Sequence, residues 1–328
     1  MRSLATVVGV SRRLRVASVV AVALAAAGVV AVVGLLLGGG ENASNRPDGI
    51  PPFVVDLGVR TDEEAQALRR AATAYRTGER GQVRTILAGH TSLEAQVGKA
   101  LASWPDGSRA QLEELARRNP RSGAVLFHVG LARFWEGDTD GAIAAWRATR
   151  GQDPDTAYAI RASNLVFRNF PPGLPLFIPS FRTSPEIARL PASRQLTVLA
   201  RNARRRDVRA KLLYGVALQH LERPVSAAAQ FKAAAELAPG NVEAQVADAV
   251  GRFDKARPEA AFARLGPLTR RHRQSATVRF HLGVMLLWLS QVEEAKRQLQ
   301  LASQVRGSSL AREAERLLSR LEAVRKPR

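Results

Sequence analysis

Apolar residues are distributed along this chain in two different ways. Residues 16–37 form an unbroken apolar run without a charged side chain. From residue 61 onward, apolar and polar positions follow the spacing of amphipathic helices, in runs of roughly 12 to 16 residues that end at glycine or proline. The pattern predicts one apolar N-terminal helix followed by a series of shorter helices, and therefore an all-α protein.

The apolar run has the length of a transmembrane helix. At about 1.5 Å per residue, a helix over residues 16–37 covers the ~30 Å hydrocarbon core of a bilayer. Four arginines precede the run, whereas residues 38–60 are close to neutral and have the glycine, asparagine and proline content of a linker. The positive-inside rule therefore predicts a single-pass protein of the cytoplasmic membrane, with residues 1–15 in the cytoplasm and the C-terminal domain extracytoplasmic. A cleaved signal peptide is the alternative, although its apolar region is typically only about 7 to 15 residues long.

The helical part of the chain contains an internal repeat. The unit at residues 121–156 has a small residue in its first predicted helix, a turn, a small and a large residue in its second helix, and a closing proline: Gly130, Gly137, Asp138, Ala142, Trp146 and Pro154. Three further units follow at residues 208–309, in which Gly215, Ala249 and Gly283 lie 34 residues apart. This pattern resembles the tetratricopeptide repeat. The resemblance implies an α-solenoid of helix hairpins with a concave groove.

Three stretches fit this repeat less well. Residues 61–120 predict degenerate helical hairpins, and residues 310–328 predict a capping helix followed by a basic tail. Residues 157–207 form an irregular insertion with additional helices, because the prolines of residues 169–181 prevent a continuous helix. The phenylalanines and leucines of that proline segment are nevertheless too apolar for a solvated linker.

The first helices of the units imply a binding surface. In tetratricopeptide proteins these helices line the groove, and this chain has apolar or aromatic side chains and one histidine at the matching positions: Phe127, Leu131, Phe134, Trp135, Leu212, Val216, His220, Phe280, Val284, Leu287 and Trp288. The resemblance therefore implies a protein or peptide partner. Two alternatives remain open: these residues pack internally, or residues 169–181 of the same chain already occupy the groove.

The charge of the chain adds a second class of contact. The formal net charge is +20, and 45 basic residues face 29 acidic ones after residue 40. Such a surface favours contact with anionic lipid or an anionic wall polymer, although a genome that favours arginine codons is an alternative source of the excess. Nucleic acid is disfavoured, because the basic clusters lack interleaved aromatic side chains.

The sequence offers no catalytic constellation. The absence of cysteine excludes disulfides, thiol nucleophiles and cysteine-ligated zinc, and the five histidines form no HExxH-type pair. His128 and His281 occupy the same repeat position, so we interpret them as structural repeats of each other. We therefore expect a membrane-anchored scaffold with no enzymatic activity, cofactor or metal. The alternatives are an accessory subunit of an envelope enzyme complex, of the wall-synthesis or cytochrome-maturation type, and an enzyme with its active site in residues 155–207.

Overall fold

The computed structural model describes residues 49–325, which form helices and connecting segments without a β-strand. The predicted all-α class is confirmed for this part of the chain. The predicted cytoplasmic segment 1–15, the transmembrane helix 16–37 and the first half of the linker lie outside the described residues. Within residues 49–325, no helix combines the length and apolarity needed to cross a bilayer.

Sixteen helices follow one another within residues 49–325. They are α1 (Glu63–Arg76), α2 (Arg80–Leu87), α3 (Leu93–Leu101), α4 (Ser108–Arg118), α5 (Gly123–Trp135), α6 (Thr139–Gln152), α7 (Ala157–Val166), α8 (Pro185–Ala188), α9 (Ala192–Ala203), α10 (Val208–His220), α11 (Pro224–Leu237), α12 (Val242–Gly251), α13 (Glu259–Arg271), α14 (Ala276–Trp288), α15 (Val292–Ser303) and α16 (Ser309–Arg325).

Side-chain caps and left-handed turns set the helix boundaries. Eight helices begin after a residue whose side chain accepts a hydrogen bond from the backbone N–H three positions later: Asp62, Ser92, Ser122, Asp138, Thr156, Asp207, Asn241 and Ser275. Such caps satisfy N–H groups that have no partner inside the helix. In the turns α1–α2 and α5–α6, Gly78 and Gly137 have φ angles of 84° and 91°. The turns α10–α11 and α14–α15 use Glu222 and Ser290 in the same left-handed region.

The helices are arranged in two stacks, each made of three hairpins and a single closing helix. The first stack is α1–α7 and the second stack is α10–α16, while α8 and α9 lie between them in the chain and α9 packs along α10. In each stack every helix packs against the next, and the first helices of successive hairpins also pack together, as α3 does with α5 and α12 with α14. Buried apolar side chains form separate clusters in the two stacks.

Glycines allow the two helices of a hairpin to approach closely. A Cβ atom added to Gly130 of α5 would lie 2.3 Å from Nε1 of Trp146 on α6. The same addition at Gly215 of α10 would place it 2.4 Å from the Phe231 ring on α11. The glycines that the repeat pattern places in the first helices therefore lie at real close crossings.

Candidate binding grooves and the segments that occupy them

Two extended segments of the chain lie against the first helices of the two stacks. Strap 1 is residues 50–58 and contacts the first stack, and strap 2 is residues 170–182 and contacts the second. We call the surfaces beneath them groove 1, formed by α1, α3, α5 and α7, and groove 2, formed by α10, α12, α14 and α16. The prolines of the two straps exclude helix formation. The backbone N–H groups of the straps therefore need hydrogen-bond partners from the grooves.

Strap 1 is anchored by Phe53, which is buried between α1, α3 and α5. Its ring packs edge-on to Tyr75, at 6.2 Å between centroids, and fills the space above Gly98, where an added Cβ would lie 2.7 Å from Phe53 Cζ. The next backbone N–H, of Val54, donates to Nε2 of His128 at 3.1 Å. A phenylalanine side chain and one backbone hydrogen bond thus fix the register of strap 1.

The C-terminal end of strap 1 reaches the closing helix of the first stack. The Asp56 N–H donates to the Tyr158 hydroxyl at 3.0 Å, and the Asp56 carboxylate accepts from the Ala157 N–H at 3.1 Å. Ala157 is the first residue of α7, so Asp56 pairs with the positive end of that helix dipole. The same carboxylate forms an ion pair with Arg223 of the second stack at 2.8 Å.

Strap 2 is anchored in the same way by Phe177, which is fully buried. Its ring stacks on His281 at 5.1 Å and packs edge-on to Phe231 at 5.4 Å. The side-chain amide of Gln219 pairs with both backbone groups of Phe177, accepting from its N–H at 3.2 Å and donating to its carbonyl at 2.7 Å. The following N–H, of Ile178, donates to Nε2 of His281 at 2.9 Å.

The remainder of strap 2 is held by polar side chains along the groove. The Ser180 N–H donates to Glu243 at 2.6 Å, and the Ser180 carbonyl accepts from the Ser309 hydroxyl at 3.0 Å. Ser309 is the first residue of the closing helix α16. At the other end, Lys255 donates to the carbonyl of Pro171 at 2.7 Å. Strap 2 therefore contacts the first helix of every hairpin in its stack, α10, α12 and α14, and the closing helix α16.

The two straps share one sequence pattern and one set of contacts. Ile50-Pro51-Pro52-Phe53-Val54 and Leu174-Pro175-Leu176-Phe177-Ile178 both read aliphatic, proline, any residue, phenylalanine, Val or Ile. In each, the phenylalanine is buried, the next N–H donates to a histidine, and the residue two positions further meets the first residue of the closing helix. The grooves therefore recognise the same short extended sequence twice.

His128 and His281 are held as the same neutral tautomer. Each Nδ1–H donates to the carbonyl four residues earlier, at 2.6 Å to Ala124 and 2.7 Å to Thr277, which leaves Nε2 free to accept from the strap. Complete burial lowers the pKa of both histidines to about 4. Both rings are therefore neutral hydrogen-bond acceptors at neutral pH.

The helices that carry these histidines match over nine residues. Residues 127–135 of α5 and 280–288 of α14 share phenylalanine, histidine, glycine and tryptophan in the order F-H-x-G-x-x-x-x-W. The two tryptophans, Trp135 and Trp288, also share an unusual property: each has a buried indole Nε1–H without a hydrogen-bond partner within the described residues. The correspondence between α5 and α14 thus includes the unpartnered Nε1 atom of the tryptophan in each helix.

The structure places the residues of the sequence-predicted groove mostly inside the stacks. Eight are buried: Phe127, Leu131, Leu212, Val216, Phe280, Val284, Leu287 and Trp288. Three are half-buried: Phe134, Trp135 and His220. They do not form one surface, because those of α5 belong to the first stack and the others to the second. Their role as partner contacts stays a prediction.

Sequence reasoning missed the contacts that hold the straps. Phe53 and Asp56 lie in a stretch that its composition assigns to a solvated linker, yet Phe53 is 9% exposed. Glu243 and Ser309 attract no attention as single polar residues, whereas Gln219 occupies a position that the resemblance to the repeat assigns to the groove. The sequence signal that could have revealed the straps is the pattern shared by residues 50–54 and 174–178. A search for the 34-residue repeat does not find it, because it lies outside that register.

A cavity of about 230 Å³ lies under the N-terminal half of strap 2. Its walls come from strap residues 172–176, from Ile160 of the first stack, and from His220, Phe231 and Trp288 of the second. Burial lowers the pKa of His220 to about 4 and raises that of Glu222, which lies beside it in the turn. The cavity is mainly apolar with a few polar groups, and it shows that strap 2 leaves part of groove 2 unfilled.

The two stacks meet through polar contacts close to this cavity. Two contacts are ion pairs, Arg150 with Asp254 at 2.9 Å and Arg161 with Glu222 at 3.6 Å. The amine of Lys255 is buried and donates to Asn164 of α7 at 2.7 Å. Burial lowers the Lys255 pKa to about 8. Together with the Asp56 ion pair, these contacts connect both straps to both stacks.

Within residues 49–325, no cluster of three or more histidine, aspartate or glutamate side chains could hold a metal ion. No protein-family model matches the sequence, and comparison with curated proteins gives no match.

Proposed function

We propose that this protein is a tetratricopeptide-type helical scaffold that holds a protein partner near the membrane. In this proposal residues 16–37 anchor the chain, and the helical domain lies on the outer face of the cytoplasmic membrane. The stacked hairpins, with glycines at their close crossings, support the resemblance to that repeat family. No enzymatic activity is proposed.

The observation that carries the proposal is that both grooves already bind an extended segment. In each groove a side chain of a first helix accepts the backbone N–H that follows a buried phenylalanine. Groove side chains that satisfy an extended backbone are the main requirement for peptide recognition, because an unpaired buried N–H is costly. Surfaces that hold the chain's own segments in this way have the chemistry needed to hold a partner's.

The surface around α8 and α9 supports a location beside an anionic layer. Six arginines there are exposed and form no ion pair within the described residues: Arg182, Arg194, Arg201, Arg204, Arg205 and Arg206. Unpaired arginines attract lipid headgroups or wall polymer while leaving the grooves accessible to a protein.

In-cell photocrosslinking tests the proposal. Photoreactive residues replace Phe134, a groove position implied by the repeat, and His220, which lines the cavity in groove 2; both are half-buried. They also replace Arg147 and Lys232 as controls on exposed faces of second helices. We expect the groove positions to capture a defined partner in intact cells, and the control positions to capture none.

Equal capture at all four positions, or capture only at Arg147 and Lys232, would contradict a groove-bound partner. Protease treatment of spheroplasts serves as the topology control. A C-terminal domain that stays intact until the cells are lysed would contradict the extracytoplasmic location.

A further inference from the structure

We propose that groove 2 is the docking site for an extended partner segment with the pattern aliphatic-Pro-x-Phe-(Val/Ile), and that strap 2 is the internal segment that this partner replaces. The inference rests on the proposed scaffold function and specifies the chemistry of its partner. Neither strap nor its pattern belongs to the repeat units themselves.

Three positions of the pattern have a physical role that is seen in both straps. The proline keeps the segment extended and removes one N–H that would need a partner. The phenylalanine fills an aromatic pocket, formed by Tyr75 and His128 in groove 1 and by Phe231 and His281 in groove 2. The Val or Ile that follows supplies the N–H to the histidine. Two independent segments meeting the same requirements indicate that the grooves select for this pattern.

Groove 2 is the better candidate for exchange because its own strap fits incompletely. The cavity under residues 172–176 leaves apolar walls uncovered. Trp288 lines this cavity, and its buried indole Nε1–H, like that of Trp135, has no acceptor within the described residues. A partner segment with a larger side chain before its proline fills this space. A carbonyl at the same depth pairs with the indole. Such a segment gains contacts that strap 2 does not make.

Strap 1 is held more firmly against replacement. Its Asp56 is bound at once by the N-terminus of α7 and by Arg223 of the second stack. A free peptide that replaced strap 1 would have to break the junction between the stacks. In contrast, Ser180, at the position of strap 2 that matches Asp56, is exposed and has no charge with which to form such an ion pair.

The covalent linkage of strap 2 determines how the exchange is measured. An attached segment competes at an effective concentration on the order of millimolar, so a free peptide binds the wild-type chain only weakly. Phe177→Ala removes the anchor of strap 2 and leaves the histidine and the groove walls in place. The variant is therefore expected to accept a peptide that the wild-type chain rejects.

The experiment uses the full-length chain in detergent micelles and a fluorescent peptide with the sequence of residues 49–60. We expect the Phe177→Ala chain to bind this strap 1 peptide at least about tenfold more tightly than the wild-type chain, measured by fluorescence anisotropy. The same peptide carrying Phe53→Ala should lose this binding. Phe181→Ala truncates a phenylalanine of strap 2 that lies outside the pattern. This variant should bind the strap 1 peptide as weakly as the wild-type chain does. Adding His281→Ala to Phe177→Ala should weaken binding by about tenfold.

Circular dichroism establishes that each variant is folded. If Phe177→Ala does not fold, hydrogen exchange on the wild-type chain decides: excess strap 1 peptide should accelerate exchange in residues 170–182, and the Phe53→Ala peptide should not. Equal binding of both peptides, or no binding and no change in exchange, would overturn the inference. A partner captured in cells at His220, combined with peptides that fail to bind, would leave the scaffold function standing and refute the pattern.

Discussion

At the scale of single residues, the packing of the hairpin α5–α6 depends on one missing side chain. Gly130 leaves room for the Trp146 indole, which is fully buried and donates from Nε1 to the Phe127 carbonyl at 3.3 Å. The carbonyl belongs to the residue immediately before His128. The position of the strap-binding histidine is therefore tied to the glycine two residues away through the packing of a single ring.

Gly130→Ala should destabilise the protein, because its Cβ would lie 2.3 Å from Trp146 Nε1. We expect a loss of about 1 to 3 kcal/mol in the free energy of unfolding, measured by urea denaturation. Gly151→Ala is the matched control in helix α6, where an added Cβ has no neighbour within 4 Å. Because alanine restricts the unfolded chain, the control should be neutral or stabilising by up to about 1 kcal/mol. Equal losses in both variants would show that the close crossing is not the cause.

The same residues show how far sequence reasoning reaches. Gly130 and Trp146 could be paired from their spacing, because both lie within one repeat unit and the period fixes their relative positions. The hydrogen bond from Val54 to His128 could not, because it joins residues 74 positions apart that no local period relates. The repeat pattern predicts contacts within a hairpin. It does not predict contacts between a groove and a segment far away in the sequence, because these depend on the tertiary fold.

At the scale of elements, the straps are unusual because they are buried without regular secondary structure. Extended segments inside a protein leave backbone N–H and C=O groups that must find partners. In strap 2 the partners are side chains from four different helices, namely Gln219, Glu243, His281 and Ser309. Such binding is specific to sequence and register, because moving the strap by one residue would separate every donor from its acceptor.

The composition of the straps explains why sequence analysis treated them differently. The apolar content of residues 169–181 indicated burial, and groove occupation was one of the alternatives. Residues 50–58 were assigned to the linker because proline, glycine and aspartate are common in solvated turns. Phe53 is buried only because Tyr75, Gly98 and His128 come together above it. That pocket is formed by three helices and has no signature in the strap itself.

Acidification should loosen both straps. The folded pKa of His128 and of His281 is about 4, whereas an unfolded histidine titrates near 6.5. As the pH falls below 6.5 the unfolded chain binds protons that the folded chain cannot, so stability decreases with falling pH. The stabilisation is complete above about pH 6.5 and is lost progressively toward pH 4, by at most about 3 kcal/mol per histidine. Thermal unfolding at pH 7.5, 6.0 and 4.5 measures the loss.

A variant identifies the histidine responsible. His281→Gln retains an acceptor for the Ile178 N–H and has no group that titrates in this range. Its melting temperature should fall less steeply with pH than that of the wild-type chain. Identical slopes for the two proteins would mean that the acid sensitivity arises elsewhere, for example at His220, whose pKa is also lowered to about 4.

At the scale of the whole molecule, the described residues form two similar bodies that follow each other along the chain. Each consists of a strap, three hairpins and a closing helix, and α8 with α9 lengthens only the second body. The 34-residue spacing predicted hairpins at residues 121–156 and 208–309. It could not predict two separate stacks, because His128 and His281 lie 153 positions apart, which is not a multiple of 34. The irregular residues 157–207 interrupt the register, and the second strap begins within them.

The junction between the bodies is polar, whereas each body has its own apolar core, and this difference predicts how the protein unfolds. Ion pairs across a half-exposed junction contribute little to the free energy of unfolding compared with a buried apolar core. The contacts between the two stacks should therefore break before either core unfolds. Asp56→Asn removes the charge that binds Arg223, and Asp254→Asn removes the partner of Arg150 without touching strap 1. Each variant should separate the calorimetric unfolding of the two stacks into two resolved transitions.

A control variant, and the direction in which each transition temperature shifts, distinguish this prediction from a general loss of stability. Lys232→Gln breaks an exposed ion pair with Glu236 inside α11 and should leave the calorimetric profile unchanged. Asp56→Asn should lower the first stack's transition, because Asp56 also caps α7, whereas Asp254→Asn should leave that transition nearly in place. If both variants instead keep one transition that moves as a whole, the stacks fold as a single cooperative unit. Strap 2 would then be fixed by both bodies at once, and a partner could enter groove 2 only by opening the junction.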